Sequence, residues 1–173
     1  QCDPCPVGQY ATPMGGVVDT IIAHTGGDDD LNKPSGVAYS KLPGTSGALA
    51  VADKMNHQVR VMNHALSATV FFGIKGMACY ADGSGLDAEF NTPTGVAFSP
   101  DGRYIAVADS SNHRVRRIVV SSFSVFTIAG NAQGDLDGVG SSVRFSFPIG
   151  LSWSPDGLFI AVADRGNNRI KRV

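Results

Sequence analysis

The twelve residues "VADSSNHRVRRI" at 107–118 occur in related form at two other places in the chain. The related stretches read "VADKMNHQVRVM" at 51–62 and "VADRGNNRIKRV" at 162–173. All copies share Val-Ala-Asp, an Asn three residues after the Asp, and a basic segment with β-branched residues. An internal repeat of this kind indicates copies of one supersecondary unit stacked side by side.

The repeat extends upstream and downstream of these letters. Related stretches precede each copy: "PSGVAYS" at 34–40, "PTGVAFS" at 93–99 and "PIGLSWS" at 148–154. A turn of the Pro-Asp-Gly type then follows in the last two copies, at 100–104 and 155–159. Successive copies are therefore about 55 residues apart.

Each repeat contains four short apolar runs, which are five to seven residues long in the middle copy. These runs are Gly95–Ser99, Tyr104–Asp109, Arg114–Val120 and Val125–Ala129. Turn-forming residues bound them, and their lengths are those of strands. The second run is apolar on both faces, which is typical of a strand buried between two sheets. Four antiparallel strands per repeat predict an all-β protein, a β-propeller built of four-stranded blades.

The motifs Pro-x-Gly-Val-Ala, Pro-Asp-Gly, Val-Ala-Asp and Asn-His-Arg-Val-Arg together resemble NHL repeats, over about Val17 to Val173. The resemblance implies an NHL-repeat propeller region at 17–173, with about three blades in units of 17–74, 93–130 and 148–173. The acidic, Gly-rich "ADGSGLDAEFNTP" similarly resembles the loop between NHL blades. The third copy departs from the pattern, because Asn168 stands where His57 and His113 stand in the others.

Polar residues recur in fixed positions of the repeat. Side chains of Asp and Asn accept or donate hydrogen bonds at turns, whereas catalytic groups break repeat symmetry. We therefore expect these residues to brace turns, and we expect no catalytic residue and no cofactor. They are Asp53, Asn56, His57, Asp109, Asn112, His113, Asp164, Asn167 and Asn168.

The acidic loops contain the best metal candidates of the chain, as Ca²⁺ ligands. These are Asp82, Asp87, Asp135 and Asp137. The spacing of an EF-hand is absent, so solvated loops are the expectation rather than a metal site. The four His residues of the chain do not suggest a zinc ligand set either.

The net charge of −1 disfavours a nucleic-acid partner, which usually requires a basic stripe. The Arg and Lys residues that do cluster occupy one slot of the repeat, and we interpret that slot as a solvated strand edge. They are Arg60, Arg114, Arg116, Arg117, Arg169, Lys171 and Arg172. No apolar run approaches the roughly 20 residues of a membrane span.

Residues 1–16 form a separate cysteine-containing segment. Cys2 and Cys5 are at best half of a zinc site, so a local disulfide in an oxidising compartment is the preferred interpretation. The stretch "CDPCPVGQYA" also resembles the C-x-x-C-P-x-G-x-Y element of cysteine-rich repeats in extracellular receptor and matrix proteins. An extracellular or cell-surface location is therefore expected. Cys79 is either a small buried hydrophobe or an intermolecular partner.

The predicted strands do not divide evenly into sets of four, because the first set has only its fourth strand and the last set lacks one. Val17–Ala23 has the pattern of a fourth strand, two sets of four follow, and the last set has three strands. Since propellers typically close with four to eight blades, two explanations are open. The chain is a fragment of a longer propeller, or copies exchange strands to form a closed ring or an open filament.

The preferred function is a non-enzymatic extracellular module for protein contact, including contact with copies of itself. Part of a metal-dependent propeller enzyme of lyase or hydrolase type is one alternative. RNA binding, as in the NHL domains of some regulatory proteins, is a second alternative, which the Cys2/Cys5 segment and the near-zero charge disfavour.

Overall fold

The computed structural model describes residues 30–40, 47–63 and 69–173, and these are nearly all β with short 3₁₀ turns and no α-helix. In chain order the strands are β1 (Gly36–Ser40), β2 (Ala48–Asp53), β3 (Gln58–Asn63), β4 (Thr69–Phe72), β5 (Gly83–Ser84), β6 (Pro93–Phe98), β7 (Tyr104–Asp109), β8 (Arg114–Val119), β9 (Ser124–Ala129), β10 (Pro148–Trp153), β11 (Ile160–Asp164) and β12 (Arg169–Arg172). The predicted strand Val17–Ala23 and the Cys2/Cys5 segment lie outside the described residues. No helix in the described ranges is long and apolar enough to cross a bilayer.

The strands form antiparallel sheets of the predicted kind. Blade 1 has the order β1-β2-β3-β4, and blade 2 has the order β6-β7-β8-β9 with the two-residue β5 added beside β9. Blade 3 has the order β10-β11-β12. The prediction of an all-β fold with antiparallel propeller-type sheets is confirmed.

The hydrophobic cores lie between neighbouring blades. One core cluster joins blades 1 and 2 and includes Val59, Phe72 and Ile105. A second joins blades 2 and 3 and includes Ala106 and Phe145. Successive residues of β7 therefore point into different cores, which explains why this strand is apolar on both faces.

The glycine of the Pro-x-Gly motif allows the first strands of neighbouring blades to approach closely. A Cβ atom on Gly36 would lie 2.5 Å from the carbonyl oxygen of Thr94, and one on Gly95 would lie 2.3 Å from that of Ile149. Gly150 occupies the same slot in blade 3, where a Cβ atom would meet only the Cβ of Ala163, at 4.0 Å. A blade therefore needs glycine at this position only where another blade follows it. Blade 3 has no following blade in the described ranges, so a larger residue at Gly150 would meet no steric clash there.

We predict that Gly95→Ala lowers the free energy of unfolding by about 1–3 kcal/mol, because the added methyl group overpacks the contact between blades 2 and 3. Gly150→Ala is the matched control, and in dilute protein it changes stability little. Urea unfolding of both variants measures the difference. Equal losses in the two variants would contradict this account of the motif.

Candidate functional site

A buried polar network ties each blade together at the end of its second strand. In blade 2, Asp109 and Arg116 have fully buried side chains and form an ion pair of 2.9 Å. The Oδ1 atom of Asp109 accepts the backbone N–H of Asn91 at 2.8 Å, and Oδ2 accepts the Asn112 amide at 2.8 Å. The carboxylate is thus satisfied by a cation and by two hydrogen-bond donors, which makes its burial tolerable.

The same network recurs in the other blades. Asp53 accepts bonds from Asn56 and from Arg60 Nε, at 2.8 and 2.7 Å. Asp164 accepts Asn167 at 2.7 Å, and the Lys171 ammonium lies 4.0 Å from it. The interpretation of the basic slot as a solvated strand edge is therefore wrong for its central member, because Arg60, Arg116 and Lys171 are buried.

The central basic residue also holds the loop that leads into its own blade. We call residues 73–92 the first connector and residues 130–147 the second connector. Arg116 donates to the carbonyl groups of Ala81 and Glu89, at 2.6 and 2.9 Å, and pairs with Asp82 at 2.8 Å. Lys171 donates to the carbonyl group of Arg144 at 3.2 Å. The cation therefore fixes the connector to the blade that follows it.

The candidate Ca²⁺ ligands occupy the connectors. Asp82 binds Arg116, and Asp137 binds Lys171 at 3.0 Å. Asp135 pairs with Lys171 at 3.1 Å, while Asp87 is exposed at the end of a 3₁₀ turn. The described ranges contain no group of three or more side chains suited to hold a metal.

A 3₁₀ turn follows the second strand of each blade, and the residue after that turn is in the left-handed region. The φ angle is 57° at His57, 56° at His113 and 54° at Asn168. His and Asn are among the residue types enriched in this region. The His57 Nδ1 atom accepts the Thr92 N–H at 3.0 Å, and His113 Nδ1 accepts the Phe147 N–H at 3.2 Å. Each ring therefore accepts a hydrogen bond from the last residue of the connector that leads into the next blade.

No strand of residues 30–40, 47–63 or 69–173 pairs with the outer edge of β12, and a cleft lies beside that edge. In blade 2 the fourth strand, β9, lies between β8 and the pair Gly83–Ser84 of the first connector. The equivalent residues of the second connector, Gly138 and Val139, line a cleft of about 730 Å³ beside β12. No strand in the described ranges occupies this cleft, and Val139 is 88% exposed.

The backbone of β12 presents hydrogen-bonding groups to this cleft. Ile160 and Val173 exchange both backbone hydrogen bonds, at 2.8 and 2.9 Å. Because bonded and non-bonded pairs alternate along an antiparallel ladder, Ile170 and Arg172 direct their N–H and C=O groups away from β11. Such an edge is a template for another strand.

Cys79 lies in the first connector and its side chain is exposed. The interpretation of this residue as a small buried hydrophobe is therefore wrong. Its carbonyl oxygen accepts the side-chain amide of Asn112 at 2.8 Å, so the backbone of the connector is fixed here by the same Asn that binds Asp109.

Comparison with known proteins agrees with this architecture. The family model of the NHL repeat matches residues 90–118, from the end of the first connector through most of β8. This part of the chain is therefore similar to an NHL repeat. Its relatives include NHL repeat-containing protein 2 of Gallus gallus, which is 32% identical over 93 residues, and that of Homo sapiens, 34% identical over 94 residues. Each alignment covers 52% of this chain and supports the NHL family.

The chain spans only 13% of the length of these two NHL relatives. Among solved structures it is similar to an auxiliary nutrient binding protein of Bacteroides ovatus, with a TM-score of 0.62 and 18% identity. That similarity covers 72% of this chain and 34% of the other. It supports the fold, and an NHL propeller-like fold is compatible with a protein-interaction module.

We predict that Arg116→Met destabilises the chain by about 3–5 kcal/mol, since it leaves the Asp109 carboxylate buried without its cation. Arg103→Met is the matched control, because Arg103 pairs with Asp101 on the surface, where an ion pair contributes little. Chemical unfolding measures both. A loss as small for Arg116→Met as for the control would show that the buried pair is not required.

We predict that the contribution of His57 and His113 to stability is lost as the pH is lowered below about 6.5. Burial lowers the pKa of both His57 and His113 from 6.5 in the folded chain. The unfolded chain therefore takes up protons first, so the stabilisation is complete above pH 6.5 and is lost towards lower pH. The measurement is urea unfolding between about pH 7.5 and 5.5. The variant His57→Asn/His113→Asn, which copies blade 3, should show a flatter dependence, and identical slopes would contradict the prediction.

Proposed function

We propose that this chain is a non-enzymatic protein-interaction module that associates with copies of itself by strand complementation. The observation that carries the proposal is the cleft between β12 and the second connector, in the position that β9 fills in blade 2. The occupant is the segment Val17–Ala23 of another copy.

The sequence of this segment supports the assignment. In β9 the residues Val125, Thr127 and Ile128 follow the order Val-x-Thr-Ile, and residues 18–21 read Val-Asp-Thr-Ile. Alternate residues of a strand face opposite sides of a sheet. The shared pattern therefore presents the same side chains to the same neighbours if 17–23 takes the position beside β12.

The open faces of blades 1 and 3 support association as well. Val37 and Tyr39 of blade 1 are 69% and 56% exposed, whereas Val96, the counterpart of Val37 in blade 2, is buried against the preceding blade. On blade 3, Gly150 keeps the motif glycine that a following blade requires. Blade 3 of one copy can therefore pack against blade 1 of another copy in the way that neighbouring blades pack within one chain.

This mode of association has two geometric results. Two copies that exchange strands reciprocally form one closed ring, and copies that join head to tail without closure form a filament. In either case the main-chain bonds of the added strand contribute affinity, and the alternating side chains give specificity.

We also propose that the module works outside the cell, on the basis of Cys2 and Cys5. A disulfide between them in the secreted protein would lower the mass of the N-terminal peptide by two hydrogen atoms relative to the reduced peptide. Mass spectrometry of protein secreted from cells and digested without reductant measures this. Two free thiols in that peptide would contradict the proposal.

The association is tested by measuring the mass of the full chain in solution as a function of concentration, with negative-stain images of the larger species. We expect rings of two copies or filaments. Arg172→Pro removes an outward N–H of β12 without breaking the ladder to β11 and should leave monomers. Arg172→Ala, the matched control, loses the same cation but keeps the N–H and should still associate.

Two further results distinguish strand complementation from other modes of association. A peptide of residues 17–24 added in excess should release monomers from the assembly, whereas the same residues in scrambled order should not. Gly150→Ala should fold and fail to associate. A wild-type chain that stays monomeric at its highest soluble concentration, or assembly that Arg172→Pro does not weaken, would overturn the proposal.

A further inference from the structure

A second cleft lies between blades 2 and 3, at the end of the blades where β6 meets β7 and β10 meets β11. It has a volume of about 290 Å³. Its walls are the Pro-Asp-Gly turns of both blades, with Asp101 and Asp156, and the side chains of Tyr104, Arg117 and Trp153. The size suits a single ring rather than a drug-sized ligand.

Arg117 lies in this cleft without an anionic partner. Its guanidinium group stacks on the Tyr104 ring, 5.0 Å from the ring centroid. The Nε atom is buried and has no hydrogen-bond partner in the described ranges, and no carboxylate there lies within ion-pair distance of the group. The Nε atoms of Arg114 and Arg116 are also buried without a partner, but the terminal nitrogens of those two residues have partners in the described ranges. Arg116 binds Asp109 and Asp82, and Arg114 donates to Asn112 and Asn131. The terminal nitrogens of Arg117 are therefore the donors that remain for a ligand in the cleft.

The aromatic side chains of the cleft are held in place. The rings of Tyr104 and Trp153 are stacked with an interplanar angle of 23° and centroids 6.5 Å apart. Trp153 donates its Nε1–H to the carbonyl oxygen of Ala97 at 3.2 Å, which fixes the indole between the blades. The cleft therefore presents preformed apolar ring surface.

The two carboxylates of the cleft are acceptors fixed by their own turns. Asp101 Oδ1 accepts Ser99 Oγ–H at 2.6 Å, and Asp156 Oδ1 accepts Ser154 Oγ–H at 2.6 Å. These bonds lower the pKa of both carboxyl groups, which are ionised at neutral pH. No described residue donates a hydrogen bond to Oδ2 of Asp156, which leaves that atom available to a ligand.

This combination of side chains breaks the symmetry of the repeat. In the equivalent gap between blades 1 and 2, Ala48 stands for Tyr104, Val61 for Arg117 and Phe98 for Trp153. The turn bracing described above is the same in every blade, so it gives no reason for these substitutions. Blade 3 has an aromatic ring and a cation in the positions of Tyr104 and Arg117, where Arg172 lies over Phe159. In the described ranges, the pair faces a neighbouring blade only in the cleft between blades 2 and 3.

We propose that this cleft binds a neutral pyranose sugar residue. A hydroxyl group both donates and accepts, so a sugar satisfies the Arg117 guanidinium and the Asp101 and Asp156 carboxylates together. The apolar face of the sugar ring packs on the Tyr104 and Trp153 rings. An anionic ligand is disfavoured because the two carboxylates outnumber the one guanidinium, and a cationic ligand is repelled by Arg117.

Trp153 is the only tryptophan of the chain, so its fluorescence reports on this cleft without interference from other sites. The test titrates the full chain with the methyl glycosides of glucose, galactose, mannose and N-acetylglucosamine. We expect a saturable change in Trp153 emission for at least one of them, with a dissociation constant on the order of 1 mM. L-Arginine methyl ester and acetate serve as the cationic and anionic probes.

Substitutions that place the residues of blade 1 at the equivalent positions of blade 2 separate a loss of binding from a loss of folding. Arg117→Val and Tyr104→Ala introduce the residues found in the equivalent gap, and each should weaken the response at least tenfold while urea unfolding shows a folded chain. Arg165→Ala, an exposed change in the 3₁₀ turn after β11, should leave it unchanged. No saturable response to any glycoside, tighter binding of either charged probe, or a response that survives Arg117→Val would overturn the proposal.

Discussion

Arg116 is fully buried, and its burial is tolerable because the Asp109 carboxyl group lies beside it. The pair joins parts of the blade that are distant in sequence. Asp109 ends the second strand, Arg116 lies on the third, and both bind the connector that precedes the blade, through Asn91 and through Ala81 and Asp82. One ion pair thus connects two strands, the connector and the turn of Asn112. This explains why the same residue types recur in all three blades.

A structure assembled from such units has contacts mainly between neighbours, as in other repeat proteins. Its cores lie between the blades, so a terminal blade exposes the face that an internal blade buries. Val37 at one end and Gly150 at the other show this directly. The self-association proposed here uses the contact that already joins blades 1 and 2, and it requires no additional interface chemistry.

The strands could be predicted from the sequence because turn-forming residues flank each short apolar run. The predicted strand Tyr104–Asp109 has the observed bounds, while the first strand of blade 2 begins at Pro93 rather than Gly95. The burial of Arg116 was missed because a basic residue on a strand is usually solvated. The available signal was its spacing, since a cation stands seven residues after the Asp in each copy. The cleft at Arg117 depends on contacts between blades, which no local pattern reveals.

Hydrogen exchange at the amides of β12 tests the central claim, that the open edge of blade 3 accepts a strand from another copy. The ladder to β11 protects the Lys171 amide at every concentration, whereas the amides of Ile170 and Arg172 face the open edge. Strand complementation predicts that the Ile170 and Arg172 amides become protected as the protein concentration rises through the range of association. Exchange of these two amides that remains fast in the assembled state would contradict it.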